Sequence, residues 1–302
     1  MSHGETKQQV GNDRFPFPTI ITTFVELRQI VGNDRGGVYH LKPSMEEYKK
    51  FMGDRNDEFR QLLCSEGFYF HMTLPQGLKE VQEEAFRDCH RLTDVTFPEK
   101  LQTIGRCAFF NCIELMKLTL KSGLKEIGDN AFENCDLVSV NFPEGLQKIG
   151  HHAFAKCNYF YKVALKNGLE EIGEGAFHGC THLRLLTLPE GLQRVGARAF
   201  ANCTDLPSVT LQNGLKEIGH HAFENCEHLE SVTLPEGRLT IYGGVFIGCA
   251  RLRIIFVSEN LLRSIRESKE WLGIAPNVKI HKHPRRNPRR SGRDKKRARL
   301  RF

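Results

Sequence analysis

Phenylalanine recurs at Phe86, Phe109, Phe132, Phe154, Phe177, Phe200, Phe223 and Phe246. Each is followed three residues later by a cysteine: Cys89, Cys112, Cys135, Cys157, Cys180, Cys203, Cys226 and Cys249. Six of the seven intervals are 23 residues and one is 22, the short one being a single deletion after Cys135, where Leu137 follows at +2 instead of +3. Chance does not hold two residue types in register over eight units. A period of this length means stacked supersecondary units rather than one closed globule.

One unit runs from Leu188 to Thr210 as L-P-E-G-L-Q-R-V-G-A-R-A-F-A-N-C-T-D-L-P-S-V-T. The spacing of Leu206, Val209 and Leu211 suits a short strand whose last two apolar residues point inward at period 2. A Pro/Lys-x-Gly step turns the chain, and Leu-x-x-Ile/Val-Gly forms a second short inward segment. The Ala-Phe-x-x-Cys turn closes the coil, its small Ala and Cys letting the chain pass close to the core. A unit this short cannot bury its own apolar face, so the expected fold is a solenoid with one continuous core.

These residues resemble the BspA-like leucine-rich repeats, whose units read roughly L-P-x-x-L-x-x-I-G-x-x-A-F-x-x-C-x-x-L. The resemblance covers about Leu74 to Ser258. It implies an α/β repeat solenoid: a curved leucine-rich-repeat stack with parallel strands and helical caps at both ends. It also implies binding modules, a family that includes adhesive bacterial surface proteins. The expected organisation is a disordered N-terminus over 1–18, an N-terminal capping region over 19–73, eight repeats over 74–258, a cap helix and strand over 259–281, and a disordered basic tail over 282–302. Met1 to Arg14 is polar, without the apolar run of a secretory signal. No apolar stretch approaches the ~20 residues of a membrane span. Ten cysteines on such a chain point to free thiols in a reducing compartment. The expectation is therefore an intracellular protein, cytoplasmic or nuclear.

Equivalent residues of adjacent coils lie ~5 Å apart and form ladders. One ladder, Glu80, Thr103, Glu126, Lys148, Glu171, Arg194, Glu217 and Thr240, alternates acid and base from Glu126 to Glu217. Opposite charges on neighbouring coils attract by a fraction of a kcal/mol. Another alternates Pro98, Lys121, Pro143, Lys166, Pro189, Gln212 and Pro235, giving a two-unit super-period. It reflects avoidance of like charges or duplication of a two-unit block on one reading, and a match to a ligand on the other. The strand face expected to line the concave side carries Thr96, Thr119, Thr187, Thr210 and Thr233 at one register. Two residues earlier it carries Asp94, Lys117 and Lys162, and two residues after the threonine register come Lys121 and Lys166. These ten residues are the candidate partner-binding surface. The positions read this way are small, hydroxyl-bearing and short of Trp, Tyr and Arg, with Ile254 and Phe256 on the last coil as the exception, expected to sit beneath a C-terminal cap rather than to serve as anchors.

Both ends need lids. Ser258 is placed to N-cap a helix from Glu259 to Leu272, with Leu261, Leu262, Ile265 and Trp271 on its apolar side and Gly273 as terminator, followed by a strand in Pro276–Ile280. Ser44-Met45-Glu46-Glu47 is a capping box opening a helix through Tyr48, Phe51 and Met52, broken at Gly53 and resumed through Phe59, Leu62 and Leu63. Leu63, Tyr69, Met72 and Leu74 match the unit spacing of a degenerate first repeat. The periodicity of Thr19 to Val31 does not decide between strand and helix.

The cysteine ladder lacks the close Cys pairs of a zinc site and reads as buried structural thiols. Cys64 and Cys107 lie off the ladder and are the candidates for reactive surface thiols. His151-His152 and His220-His221 occupy the same slots three coils apart, ~15 Å by strand spacing, too far to share one ion. No phosphate loop, dinucleotide fingerprint, metalloprotease helix, calcium loop or nucleophile elbow occurs. The expectation is no enzyme, no cofactor and no metal.

The charge is concentrated at one end. Residues 282–302 hold 11 of the 43 Lys and Arg and one acid, whereas 1–281 are net −3. Arg285, Arg286, Arg289, Arg290, Lys295, Lys296, Arg297 and Arg299 resemble nuclear-localisation clusters. They equally suit phosphate contacts with nucleic acid, or a solvated extension without a partner. The sequence therefore reads as a non-catalytic protein-interaction scaffold whose tail supplies targeting or electrostatic binding. The alternatives are a nucleic-acid-associated protein held by its tail and a surface adhesin. The tail's named partners are an import receptor or nucleic acid, and oligomeric state is not encoded in the ladders.

Overall fold

The computed structural model describes residues 19–21, 38–53 and 69–283, with side chains described at 38–50 and 69–283. The basic residues from Arg285 onward, Cys64, Phe59 and Leu63 lie outside the described residues. Each unit makes one turn of the chain with two short strands. The first is two residues long: β4 (Glu80–Val81), β6 (Thr103–Ile104), β8 (Glu126–Ile127), β10 (Lys148–Ile149), β12 (Glu171–Ile172), β14 (Arg194–Val195), β16 (Glu217–Ile218) and β18 (Thr240–Ile241) form one eight-stranded sheet in turn order. The second strand is longer: β5 (Leu92–Thr96), β7 (Lys117–Thr119), β9 (Ser139–Asn141), β11 (Lys162–Ala164), β13 (Leu185–Thr187), β15 (Ser208–Thr210), β17 (Ser231–Thr233) and β19 (Ile254–Val257). At the ends stand β1 (Thr19–Ile21), β2 (Val38–Leu41), β3 (Tyr69–Thr73) and β20 (Lys279–Lys282). All pairings are parallel, and equivalent residues face each other, as Lys162 faces Leu185. The result is a parallel β-solenoid of about nine turns.

The core is made of ladders. Phe109, Phe132, Phe154, Phe177 and Phe200 are fully buried, and their rings stack at centroid distances of 5.1 to 5.4 Å with interplanar angles of 9° or less. The deletion after Cys135 falls in the loop before β9, so the Phe132–Phe154 stack crosses it at 5.3 Å without a break. The cysteines are buried beside this spine. Each thiol from Cys112 to Cys249 donates to the carbonyl of the Phe one turn earlier, at 3.1 to 3.3 Å. A small apolar residue fits the space, and its weak S–H donor reaches an acceptor that Ala would leave to one bond. Burial pushes the Cys157, Cys180 and Cys203 thiols up, Cys203 to about 12, so these three are un-ionised and chemically quiet.

The turn chemistry holds a signal beyond the apolar pattern. The residue just before each Cys has left-handed backbone: Asp88, Asn111, Asn134, Lys156, Gly179, Asn202, Asn225 and Gly248, at φ of +56° to +76°. Asn, Asp and Gly tolerate this region and other residues pay ~1–2 kcal/mol there. The asparagines also bond to one another: Asn134 Nδ2 donates to Asn111 Oδ1 at 2.7 Å, and Asn225 Nδ2 to Asn202 Oδ1 at 3.0 Å. Lys156 is the misfit, compensated by an exposed 2.9 Å ion pair with Glu133. Lys156→Asn should therefore stabilise by ~0.5 kcal/mol, the relief of strain exceeding the loss of a surface pair. A urea midpoint unchanged or lowered would contradict this.

The caps differ from the sequence expectation in three places. The long-strand stack continues N-terminally through β3, β2 and β1, all parallel, so Thr19–Ile21 is strand and Val38–Leu41 adds another that the pattern did not reveal. On β3 the inward residues are Phe70 and Met72; Tyr69 faces out, with the Arg91 guanidinium 4.8 Å over its ring. Helix α1 (Met45–Gly53) starts as expected, the Glu47 N–H donating to Ser44 Oγ at 3.1 Å, and it buries Tyr48. At the other end α2 (Glu259–Glu267) is shorter than expected. Ser258 stands at its N-cap but bonds no helical N–H, its hydroxyl donating to Asn260 Oδ1 instead. Gly273, at φ +74°, ends a separate turn in which Ile274 N–H reaches Lys269 O and Gly273 N–H reaches Glu270 O. That turn places Leu272 over Phe246, with Phe246 N–H donating to Leu272 O at 2.9 Å. Leu272 takes the buried slot, while Trp271 lies against Gly243 and stays 56% exposed.

Candidate functional site

The single sheet of short strands and the stack of long strands, which divides into four separately paired sheets, present two different outer surfaces. On the short-strand sheet the charge ladder neutralises itself. Lys148 lies 3.5 Å from Glu126, Arg194 is 3.5 Å from Glu171, and Arg194 is 3.9 Å from Glu217. Charges that pair between neighbouring turns need no ligand, so this face reads as structural.

The long-strand face carries the ten predicted residues. Thr96, Thr119, Thr187, Thr210, Lys117 and Lys162 are exposed on their strands, and Thr233 is half-buried. Asp94 is half-buried on β5, 3.9 Å from His71 on β3. Lys121 and Lys166 sit just beyond the strands, Lys121 held 3.1 Å from Glu99. One face thus holds all ten, but they do not converge: β5 and β17 are six strand steps apart, ~30 Å. They fall into two groups.

The C-terminal group belongs to a cleft of about 1030 Å³ whose lining includes Thr210, Gln212, Thr233, Phe256 and His283. Phe256 is half-exposed along this cleft rather than covered by the cap. Much of the polar rim is already satisfied within the chain. Asn213 Oδ1 accepts from Glu236 N–H, Asn260 Nδ2 donates to Gly237 O at 2.8 Å, and Lys282 pairs with Glu259.

The central group has neighbours that the sequence reading passed over. Met116, Val138 and Tyr161 immediately precede β7, β9 and β11 and are 51%, 39% and 53% exposed. Val138 N–H donates to Met116 O and Arg184 N–H to Tyr161 O, and β9 lies next to β11 without pairing to it, so the three residues fall on successive turns. Leu185 on β13 extends the strip beside Lys162. Tyr159, also exposed, stacks with His182 at 6.5 Å. The expectation that this face lacks aromatic and arginine contacts is therefore corrected. It held for the two registers read, while Tyr161 and Arg184 occupy the register one residue earlier.

The chemistry-bearing side chains elsewhere are dispersed. Among the described residues no group of three or more His, Cys, Asp or Glu could hold a metal ion. Cys107 is buried rather than a surface thiol, and burial raises its pKa. Nine described cysteines are free. Asn202, at the formal glycosylation sequence, is half-buried in the amide ladder.

His178 is held neutral, first by burial and then by the charges of His152, Lys156 and Arg198. His40, on β2, is lowered by burial and by His71 and Lys42. The unfolded chain takes up these protons first, so stability is full above the unfolded imidazole pKa of ~6.5 and falls as pH drops below it. A urea midpoint lower at pH 5.5 than at pH 8, with the difference reduced by His178→Asn, is the expected result. A midpoint rising on acidification would contradict it.

A model of the BspA type leucine rich repeat region matches residues 79–203 and 170–268, in six copies. The chain belongs to the BspA-type leucine-rich-repeat family. Among solved structures it is similar to a leucine-rich repeat protein from Bacteroides ovatus, at 24% identity and a TM-score of 0.48 over 73% of this chain and 64% of that one, so it spans less than two thirds of that relative. It is also similar to the leucine-rich repeat protein of T. pallidum, at 30% identity and a TM-score of 0.46 over 69% of this chain and 86% of that one. A third, described as a leucine-rich cell surface protein from Faecalibacterium prausnitzii, shares 20% identity at a TM-score of 0.43, over 78% of this chain and 82% of that one. No match was found among curated proteins. No helix among the described residues is long and apolar enough to cross a membrane.

Proposed function

We propose that this BspA-type chain is a non-catalytic protein-interaction scaffold that presents the outer face of its long strands to a protein partner. The observation that carries this reading is the contrast between the two faces. The short-strand face pairs its own charges, whereas, among the described residues, six of the ten exposed large apolar side chains lie between Ile113 and Leu185, four of them (Met116, Val138, Tyr161 and Leu185) on or immediately before a long strand. A stacked β-solenoid holds the backbone of such a surface rigid, so little backbone freedom remains to be lost on binding. The tail from Arg285 to Arg299 adds location or electrostatic affinity, and the free thiols fit a reducing compartment.

The tail's net charge of +10 favours a second reading, nucleic-acid association through phosphate contacts. Surface adhesion is the third, suggested by the family. Capture from nuclease-treated native lysate separates them, using the full chain and a variant with its tail arginines and lysines changed to glutamine. A defined protein retained by both at high salt is the expected result. Loss of all specific binding with the tail, with salt or with nuclease would replace the scaffold by the nucleic-acid reading. Recovery of the protein from the cell exterior would favour adhesion.

A further inference from the structure

The central apolar strip has a defined electrostatic surround. Met116, Val138, Tyr161 and Leu185 run across four consecutive turns. Lys117 and Lys162 stand on the same strands, immediately beside Met116 and Tyr161, and Lys166 follows at the end of β11. Lys121 pairs with Glu99, Lys148 with Glu126 and Lys156 with Glu133, and Lys216 donates to Gln193 Oε1, whereas Lys79, Lys100 and Lys125, which precede short strands, have no ion pair among the described residues. Among the described residues no ion pair holds Lys117, Lys162 or Lys166. Their charges therefore face solvent across β7, β9 and β11, whose other exposed residues, Thr119, Ser139 and Asn141, are uncharged, and the nearby Glu114 is held by Arg91 at 4.0 Å. The neighbouring Arg184 is neutralised by Asp205, its Nη2 3.0 Å from the carboxylate.

We infer that this strip is a docking site for an acidic polypeptide segment. Aliphatic or aromatic side chains of that segment would cover Met116, Val138, Tyr161 and Leu185, and its carboxylates would face Lys117, Lys162 and Lys166. This deepens the scaffold reading and rests on it. Charge complementarity selects the occupant. The chain's own tail is net +10 and is repelled by the same lysines. A second copy presenting the same face would set cation against cation across an isologous contact. Apolar contact would supply affinity and the three lysines would supply speed of encounter and selectivity.

The test uses a displayed random dodecapeptide library selected against the full chain, with affinities then measured on labelled synthetic peptides. The expected peptides are rich in Asp and Glu with interspersed Leu, Phe or Trp. Tyr161→Ser or Leu185→Ser should weaken them about tenfold. Joint charge reversal by Lys117→Glu, Lys162→Glu and Lys166→Glu should weaken them by at least about tenfold at low salt. The same reversed chain should bind a peptide whose carboxylates are replaced by lysines. Lys148→Glu, on the opposite sheet, should change nothing. All these side chains are exposed, and an unshifted melting curve shows that each variant is folded. Basic or neutral selected peptides, equal binding by the variants, or dimerisation lost on Tyr161→Ser would overturn the inference. If the peptides instead depended on Phe256 in the C-terminal cleft, the inference would fall and the scaffold reading would stand. Failure of any polypeptide to contact the long-strand sheet would remove both.

Discussion

Phe177→Ala should cost ~3–5 kcal/mol and split unfolding into two transitions. The Phe177 ring is fully buried between Phe154 at 5.4 Å and Phe200 at 5.3 Å. Truncation leaves a cavity that rings stacked on either side cannot close, because each is itself held by the next ring along the spine. It also removes two aromatic pairs, each worth ~0.5–1.5 kcal/mol beyond area burial. In a solenoid, stability is a sum of units and nearest-neighbour interfaces, so weakening two adjacent interfaces uncouples the halves on either side. Denaturant titration followed by segment-resolved hydrogen exchange should show the turns before Phe154 and after Phe200 losing protection at different concentrations. Thr187→Ala, on the exposed long-strand face, should change stability by less than ~0.5 kcal/mol. A single transition shifted by less than ~1 kcal/mol in the Phe177 variant would contradict a continuous core.

Gly196→Ala is the second large effect, and its sign is informative. Gly196 is not at positive φ, so by backbone entropy alone Ala should stabilise by ~0.4–1 kcal/mol. A Cβ there would lie 2.5 Å from Gly173 C and 2.6 Å from Glu174 N, both backbone atoms of the preceding turn. Flexible side chains yield to added volume at a cost of ~1–3 kcal/mol; backbone held by a parallel ladder does not, so the expected loss is ~3 kcal/mol or more. Gly150, Gly173 and Gly219 meet their preceding turns in the same way, so the close approach is shared by the central turns, while Tyr242 fills the slot at the last turn and keeps the ladder bond to Ile218 O. A urea midpoint for Gly196→Ala equal to or above that of the parent would mean that the turns are not packed this closely.

The stack was readable because its buried contacts repeat. Phe and Cys recur in every unit and Ala in seven of the eight, with Val245 in the last, and a ladder multiplies one residue's environment by eight. The cysteine reading followed from spacing alone. The left-handed slot was written as plainly, in Asn111, Asn134, Asn202 and Asn225, but hydrophobic periodicity does not register a backbone conformation. The caps were harder for a physical reason. Each end turn is unique and has no copies to average over, so β2 is four residues with no repeated signal and its partners lie 20 and 31 residues away in sequence. At the C-terminus the expectation gave the buried position to Trp271, the largest apolar residue in reach. Backbone register gave it to Leu272, whose carbonyl accepts from Phe246. Of the candidate site, the strand registers were legible. The strip of Met116, Val138 and Tyr161 was not, because the residue before a strand has no pattern-defined direction until the ladder bonds fix it.

The most direct test of the scaffold account is site-specific photo-crosslinking of the full chain in native lysate. A photoreactive residue would replace Thr187 on the long-strand face in one protein and Lys148 on the short-strand face in another, with adducts identified by mass spectrometry. The account predicts a defined protein adduct from Thr187 that survives high salt, and none in common from Lys148. Adducts confined to Lys148, or nucleic acid as the sole product at either position, would contradict it.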